Sequence, residues 1–289
     1  LTFTLADPAG AVVLRRTCAA PAHQADRLSY LLAEGVAAGP LSAPGTWRAR
    51  FELSGQPASA HVRDILVVAP AAPQRSLRVA LVDVPPALAA VLGALPGVST
   101  QPFSAGPSCD VLVIGGGTPA KNAKVDADGA DLAGPARAAG GVPPAVLEAV
   151  RGGTPLLALA AGDAPAEAVA RDLATAGAFR FDGMVGTSRA SWMGAWYFVR
   201  PHPLYEGMPA SEALGLHYQV KSGGANGWRV EGEGVEIVAG YGRDHDRHLG
   251  AGTLTARLGR SRVVLHQVLD MHPALLRRFL GNALNHLAG

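Results

Sequence analysis

From residue 77 onward the chain repeats one cycle: a short apolar run, a helical stripe, then a glycine or proline stop. Few folds accept it. Residues 78–84 carry Val79, Ala80, Leu81 and Val82 without polar interruption, as in a strand buried on both faces of a parallel sheet. Pro85-Pro86 then opens a helix with Leu88, Val91, Leu92 and Leu95 on one stripe, and Pro96-Gly97 closes it. Residues 110–114 predict a second buried strand stopping at Gly115-Gly116-Gly117, 144–151 a helix ended by Gly152-Gly153, 155–159 a third strand, and 164–176 a helix. Near the end, 262–269 reads as a core strand and 273–287 as a helix with Leu275, Leu276, Phe279, Leu280, Ala283, Leu284 and Leu287 facing one way. This alternation predicts βαβ units around a parallel, doubly wound sheet: an α/β domain over 77–289. Residues 178–260 are more irregular and aromatic and predict further strands with long loops, while 118–142 read as a surface loop.

The first 70 residues follow a different period. Leu1, Phe3 and Leu5 alternate with Thr2 and Thr4, Asp7-Pro8-Ala9-Gly10 supplies a turn, and 11–14 form a second strand. After Gly45, Trp47, Ala49, Phe51 and Leu53 point one way and Arg48, Arg50 and Glu52 the other. Ser54-Gly55-Gln56-Pro57 turns the chain, and 62–68 returns. Short strands between Pro/Gly turns predict a small all-β sandwich over 1–70, in which 21–44 has no assigned pairing. Residues 69–76 form a proline-punctuated connector.

A length of 289 residues fits two domains. With 48% hydrophobic and 17% charged residues the chain is globular. No apolar run approaches the ~18 residues that a membrane span needs. A formal charge of +2, with basic residues scattered singly, argues against nucleic acid as a partner. Cys18 and Cys109 fall in different predicted domains without CxxC spacing, so neither a disulfide framework nor a structural zinc site is expected. The opening Leu-Thr-Phe-Thr-Leu, without Met or a signal-type stretch, reads as a piece processed out of something longer.

In open α/β sheets ligands collect beyond the carboxyl ends of the strands. The glycines at 115–117 have neither the phase of a dinucleotide fingerprint nor that of a phosphate loop, so no nucleotide cofactor is expected. Ala160-Ala161-Gly162 occupies the strand-to-helix turn where an elbow enzyme places its Ser or Cys, and a methyl group can neither attack a carbonyl nor hold a proton. Cys109, just before a buried strand, reads as a small hydrophobe. The aromatic region offers Trp192, Trp196, His202, His217 and Tyr218 as candidate ligand contacts, since Trp and Tyr combine a flat apolar face with a polar edge. Filling a core between loops and sheet is the other reading of Trp192, Trp196, Tyr197 and Phe198. His202, between Pro201 and Pro203, also reads as a rigid turn residue. Asp244, His245, Asp246 and His248 carry metal-compatible atoms; Arg247 among them would repel a cation, which favours a solvated loop over a metal site. His266 inside an apolar strand predicts a hydrogen-bonded core histidine.

Five stretches together carry a family resemblance: Ala43-Pro-Gly-Thr-Trp-Arg-Ala, Asp110-Val-Leu-Val-Ile-Gly, Val199-Arg-Pro-His-Pro-Leu-Tyr-Glu-Gly-Met-Pro, Gly259-Arg-Ser-Arg-Val-Val-Leu-His-Gln-Val-Leu-Asp and Leu276-Arg-Arg-Phe-Leu-Gly-Asn-Ala-Leu-Asn-His-Leu. With them the chain resembles the C-terminal accessory region of family-2-type, β-galactosidase-like glycoside hydrolases. There an immunoglobulin-like sandwich precedes a flavodoxin-like domain similar to class I glutamine amidotransferases. Some of these stretches also occur in trehalose-utilisation-type domains. The amidotransferase pattern needs a Cys at the elbow, where Ala160 and Ala161 stand, so the resemblance brings no catalytic residue and no cofactor. It implies a non-catalytic accessory or scaffolding region of an enzyme acting on poly- or oligosaccharides. Its expected partners are an upstream catalytic barrel, another subunit or a further copy, with carbohydrate as a further contact. Two alternatives stand beside it: a free-standing amidotransferase-like or trehalose-utilisation-type hydrolase of altered chemistry using 244–248 with a metal, and a sugar-binding module using Trp192 and Trp196.

Overall fold

The computed structural model describes residues 1–19, 38–104, 108–116, 141–160, 162–185, 195–211, 218, 227–243, 249–267 and 271–289. The chain divides into two compact units, Leu1–Ala69 and Pro70–Gly289.

In the first unit, β1 (Thr2–Ala6), β2 (Val12–Thr17), β3 (Gly45–Leu53) and β4 (Gln56–Val67) form one antiparallel sheet in the order β2-β1-β3-β4. Asp7 ties the first turn, its carboxylate accepting from the N–H groups of Ala9 at 3.0 Å and Ala11 at 2.8 Å. Leu5, Trp47 and Ala49 are the buried centre of the apolar face, with Phe3, Leu14, Leu41, Phe51 and Val67 around them. Phe3 and Phe51 stand opposite each other in register, ring centroids 5.0 Å apart. The expected sandwich has two sheets, whereas the described residues of this unit form a single one. Period-2 alternation reports only that one face is covered, and it is the same whether a second sheet or another element covers it.

The second unit runs β5 (Leu77–Val82), α1 (Pro86–Gly93), β6 (Val98–Pro102), β7 (Val111–Gly116), α2 (Pro144–Arg151), β8 (Leu156–Ala160), α3 (Asp163–Thr175), β9 (Arg180–Val185), β10 (Ala195–Val199), a 3-10 turn (Pro203–Tyr205), β11 (Gly227–Glu231), β12 (Glu236–Arg243), β13 (Gly250–Leu258), β14 (Ser261–His266) and α4 (Pro273–Ala288). Its 10 strands make one sheet, β10-β12-β13-β14-β8-β7-β5-β6, with β11 pairing both β13 and β9. From β6 to β14 the neighbours are parallel. From β14 through β13 and β12 to β10 they are antiparallel, which corrects the expectation of a parallel sheet to a mixed one. The reason is a tight turn: Gly259, at φ 61°, and Arg260 join β13 to β14, and so short a link can only make a hairpin.

Every side chain of β8 is buried, as both faces are covered. Leu156, Ala158 and Ala160 meet Val146 and Val150 of α2 and Ala166, Ala170 and Leu173 of α3. The opposite face is closed by α4, which packs on β7, β8 and β14 with α1 beside it. Asn285 of α4 fastens the connector: its side-chain oxygen accepts from Gln74 N–H at 2.8 Å and its amide donates to Ala72 O at 3.0 Å. Gly281 lies so close that a Cβ there would stand 2.2 Å from Ala71 O. Among the described residues, no helix is long and apolar enough to cross a membrane.

Candidate functional site

The carboxyl edge of the parallel strands is where a doubly wound sheet presents ligand groups. β5 ends at exposed Asp83, whose φ of 52° turns the chain sharply into α1. β7 passes so close to the link between β5 and α1 that a Cβ on Gly115 would stand 2.8 Å from Val84 Cα. β8 ends at Ala160, 1% exposed, and Gly162 at φ 87° swings the chain into α3. The methyl of Ala160 lies in the core with α2 and α3. Ala161 lies outside the described residues.

At β14 the edge carries His266, fully buried, its ring stacked on Phe279 with centroids 3.9 Å apart. Its Nδ1 is 2.8 Å from the Thr253 hydroxyl, which is 2.8 Å from the Tyr205 hydroxyl, itself 3.0 Å from that of Tyr197. A hydroxyl beside an imidazole is the geometry of an activated nucleophile. Here, however, Thr253 and His266 are 0% exposed, so no substrate carbonyl can reach the pair. Burial, reinforced by Tyr197, raises the Tyr205 phenol well above its ordinary value, so it stays protonated and can donate to Thr253. This chain of polar groups holds β10, β13, β14 and the 3-10 turn together. Sequence reasoning found His266 as a core histidine and missed its partners; the available signal was the hydroxyl of Thr253 between Gly252 and Leu254.

Of the predicted contact residues, Trp196, His202 and Tyr218 fall among the described residues. Tyr218 is 1% exposed, its ring centroid 5.5 Å from that of Tyr197 and 5.8 Å from that of Tyr205, and its hydroxyl donates to Pro209 O. Trp196 lies on β10 opposite Gly242. His202 caps the 3-10 turn, its Nδ1 accepting from Leu204 N–H at 3.1 Å. Beside it stands His286 of the last turn of α4, whose backbone carbonyl accepts from Arg262 near the start of β14, away from Ala160. Trp192, His217, Asp244, His245, Asp246 and His248 lie outside the described residues. Among the described residues no three His, Cys, Asp or Glu side chains converge as metal ligands. Burial raises the Cys109 thiol, which disfavours a reactive thiolate. Trp228, fully buried on β11, donates its indole N–H to Ala166 O at 2.8 Å and fills the core against α3.

No family model matches the chain, and no curated protein matches it. Among solved structures, the cytoplasmic protein STM1381 from Salmonella typhimurium LT2 is similar at 12% identity and a TM-score of 0.41, covering 84% of this chain and 97% of that one. Cytoplasmic protein STM3548 from Salmonella typhimurium is similar at 14% identity and a TM-score of 0.40, covering 84% and 96%. A β-galactosidase from Bacillus circulans sp. alkalophilus is similar at 11% identity and a TM-score of 0.33; 64% of this chain is covered, and it spans 24% of that enzyme's length.

Proposed function

We propose that this chain is a non-catalytic accessory or scaffolding region of a glycoside hydrolase, built from an immunoglobulin-like unit and an amidotransferase-like, flavodoxin-like one. The observation that carries the proposal is the turn after β8, where a buried methyl stands at the position of an elbow nucleophile. The parallel strand order β6-β5-β7-β8-β14, numbered by chain order within the parallel set, is the 2-1-3-4-5 order of flavodoxin-like sheets, which supports the finer fold reading.

Two stretches that carry the family resemblance support the same view by what they do. The Asn282 amide donates to Leu204 O at 3.2 Å and to Glu206 O at 2.9 Å, so the C-terminal helix motif and the His-Pro-Leu motif hold each other. Their residue types answer to mutual packing, with no substrate required. The partner in this reading is a catalytic barrel or another subunit, with carbohydrate as a further contact.

The test is an assay of the purified chain on aryl glycosides and on glutamine. No turnover of either is expected. Hydrolysis that disappears with a single carboxylate substitution would overturn the proposal.

A further inference from the structure

After β10 the chain crosses α4 as a short strap, residues 202–208. Asn282 holds it through two carbonyls, and Arg278 Nε donates to Glu206 O at 2.8 Å. Beneath it Leu204 and Tyr205 are buried, and Tyr205 delivers the hydroxyl that completes the bonded chain to Thr253 and His266. Gly207, at φ 69°, turns the end of the strap through a conformation that favours glycine.

At the head of the strap two imidazoles meet. The His202 ring, on a side chain 8% exposed, has its centroid 5.2 Å from that of His286. His202 Nδ1 accepts from Leu204 N–H, so it must carry a lone pair, and a neutral ring then has its proton on Nε2, 3.7 Å from Glu236 Oε2. Arg262 donates to the backbone carbonyl of His286 at 2.6 Å, which brings a guanidinium to the same place. Among the described residues, the charged and titratable groups facing the pair are Glu236 from β12 and Arg262 from β14.

We propose that the strap is an acid-released latch, closed on α4 while His202 and His286 are neutral and lifted when they take up protons. A proton on His202 Nδ1 turns its acceptor into a donor facing the Leu204 N–H, and the cap is lost. A proton on His286 sets a second cation beside the first and beside Arg262. Glu236, on a side chain 53% exposed, offsets only part of that charge.

The direction agrees. Burial first, then His202 and Arg262, lower His286 from its ordinary 6.5 to about 4, and burial lowers His202 against the opposing pull of Glu236. A lifted strap returns both rings to water and to their ordinary values. The closed state thus binds fewer protons, and closure is firm above 6.5 and weakens as the pH falls from 6.5 toward about 4. Opening withdraws Tyr205 from Thr253 and uncovers Leu204.

Amide hydrogen exchange on the full chain tests the latch, with rates corrected for the intrinsic effect of pH. Between about pH 7.5 and about pH 5, protection at Tyr205, Glu206 and Met208 should fall about tenfold or more, as one unit of displaced titration requires, while β8 stays protected. His202→Asn keeps an oxygen for the Leu204 N–H without a titrating ring, and His286→Phe keeps a ring against it. The double variant should hold its protection at both pH values. Equal protection of the wild-type strap at both pH values overturns the proposal, as does a double variant that loses protection in acid just as the wild type does. Should the double variant not fold, His202→Asn alone must show a smaller acid loss than the wild type, and an equal loss overturns it too.

Discussion

In β5, β7 and β8 the buried side chains are aliphatic, from Leu77 and Val79 through Val111, Leu112, Val113 and Ile114 to Leu156, Leu157 and Leu159. In β10, β12 and β13 they include Tyr197, Tyr241 and Thr253; hydroxyls tie Tyr197 and Thr253 to Tyr205, and Thr253 to His266, while Tyr241 packs its ring on Tyr197. The parallel half of the sheet is held by non-directional burial, which depends on area and volume. The antiparallel half adds directional bonds that depend on individual atoms. It also depends on missing atoms: Gly227, Gly240 and Gly250 bring three backbones within reach of one another, and Gly252 leaves room for the rings of Tyr197 and Tyr241. A substitution of one heavy atom should therefore mean different things in the two halves.

The largest effect is expected at Gly227. A Cβ there would stand 2.2 Å from the Gly250 carbonyl carbon, and the three nearest atoms are all Gly250 backbone, so β11 and β13 must separate. Gly227→Ala should cost about 4 kcal/mol or more, at the upper end of what single substitutions do. Urea unfolding measures it, and a loss under about 1 kcal/mol would show that the crossing is slack and that the contrast between the halves fails.

Next comes Thr253→Val, which keeps shape and removes the hydroxyl between Tyr205 and His266. Each partner loses a bond in a buried setting, and a loss of about 2 kcal/mol is expected. A double-mutant cycle with Tyr205→Phe sharpens the point. If the bonds act as a chain, the two losses are not additive; additive losses would mean independent contacts.

The two halves also differed in how readable they were. Residues 144–151 announce a helix by their stripe, opening proline and closing glycines, and α2 occupies that span. Likewise α4 runs Pro273–Ala288 against an expected 273–287. Local chemistry sets these elements, so a window of sequence holds the answer. β6 went unread because Val98-Ser-Thr-Gln-Pro is an edge strand with exposed side chains and no apolar signature. The strands from β9 to β13 were legible only as a class: their pairing is fixed by glycine crossings between positions far apart in sequence, such as 227 with 250. At the candidate site the alanines of the elbow were plain from the letters. The bonded chain was not, since two Tyr 8 residues apart and a Thr and His 13 apart, the pairs separated by 48, carry no pattern until the fold brings them together.

The smallest effect belongs to the parallel half and serves as the control for the others. Ile114 on β7 is 5% exposed and lies in the apolar cluster with β8, α2 and α3, so Ile114→Val removes one methyl and no directional bond. The surroundings can close on so small a gap, and a loss of about 1 kcal/mol is expected. Val at this position also suits a strand, so local propensity does not oppose the change. The measurement is again urea unfolding, read for midpoint and slope together. An unchanged slope with a small midpoint shift keeps the parallel half as a volume-filled core. A loss rivalling that of Thr253→Val would mean that packing around β7 is as specific as the hydroxyl chain, and the distinction drawn between the two halves would have to be given up.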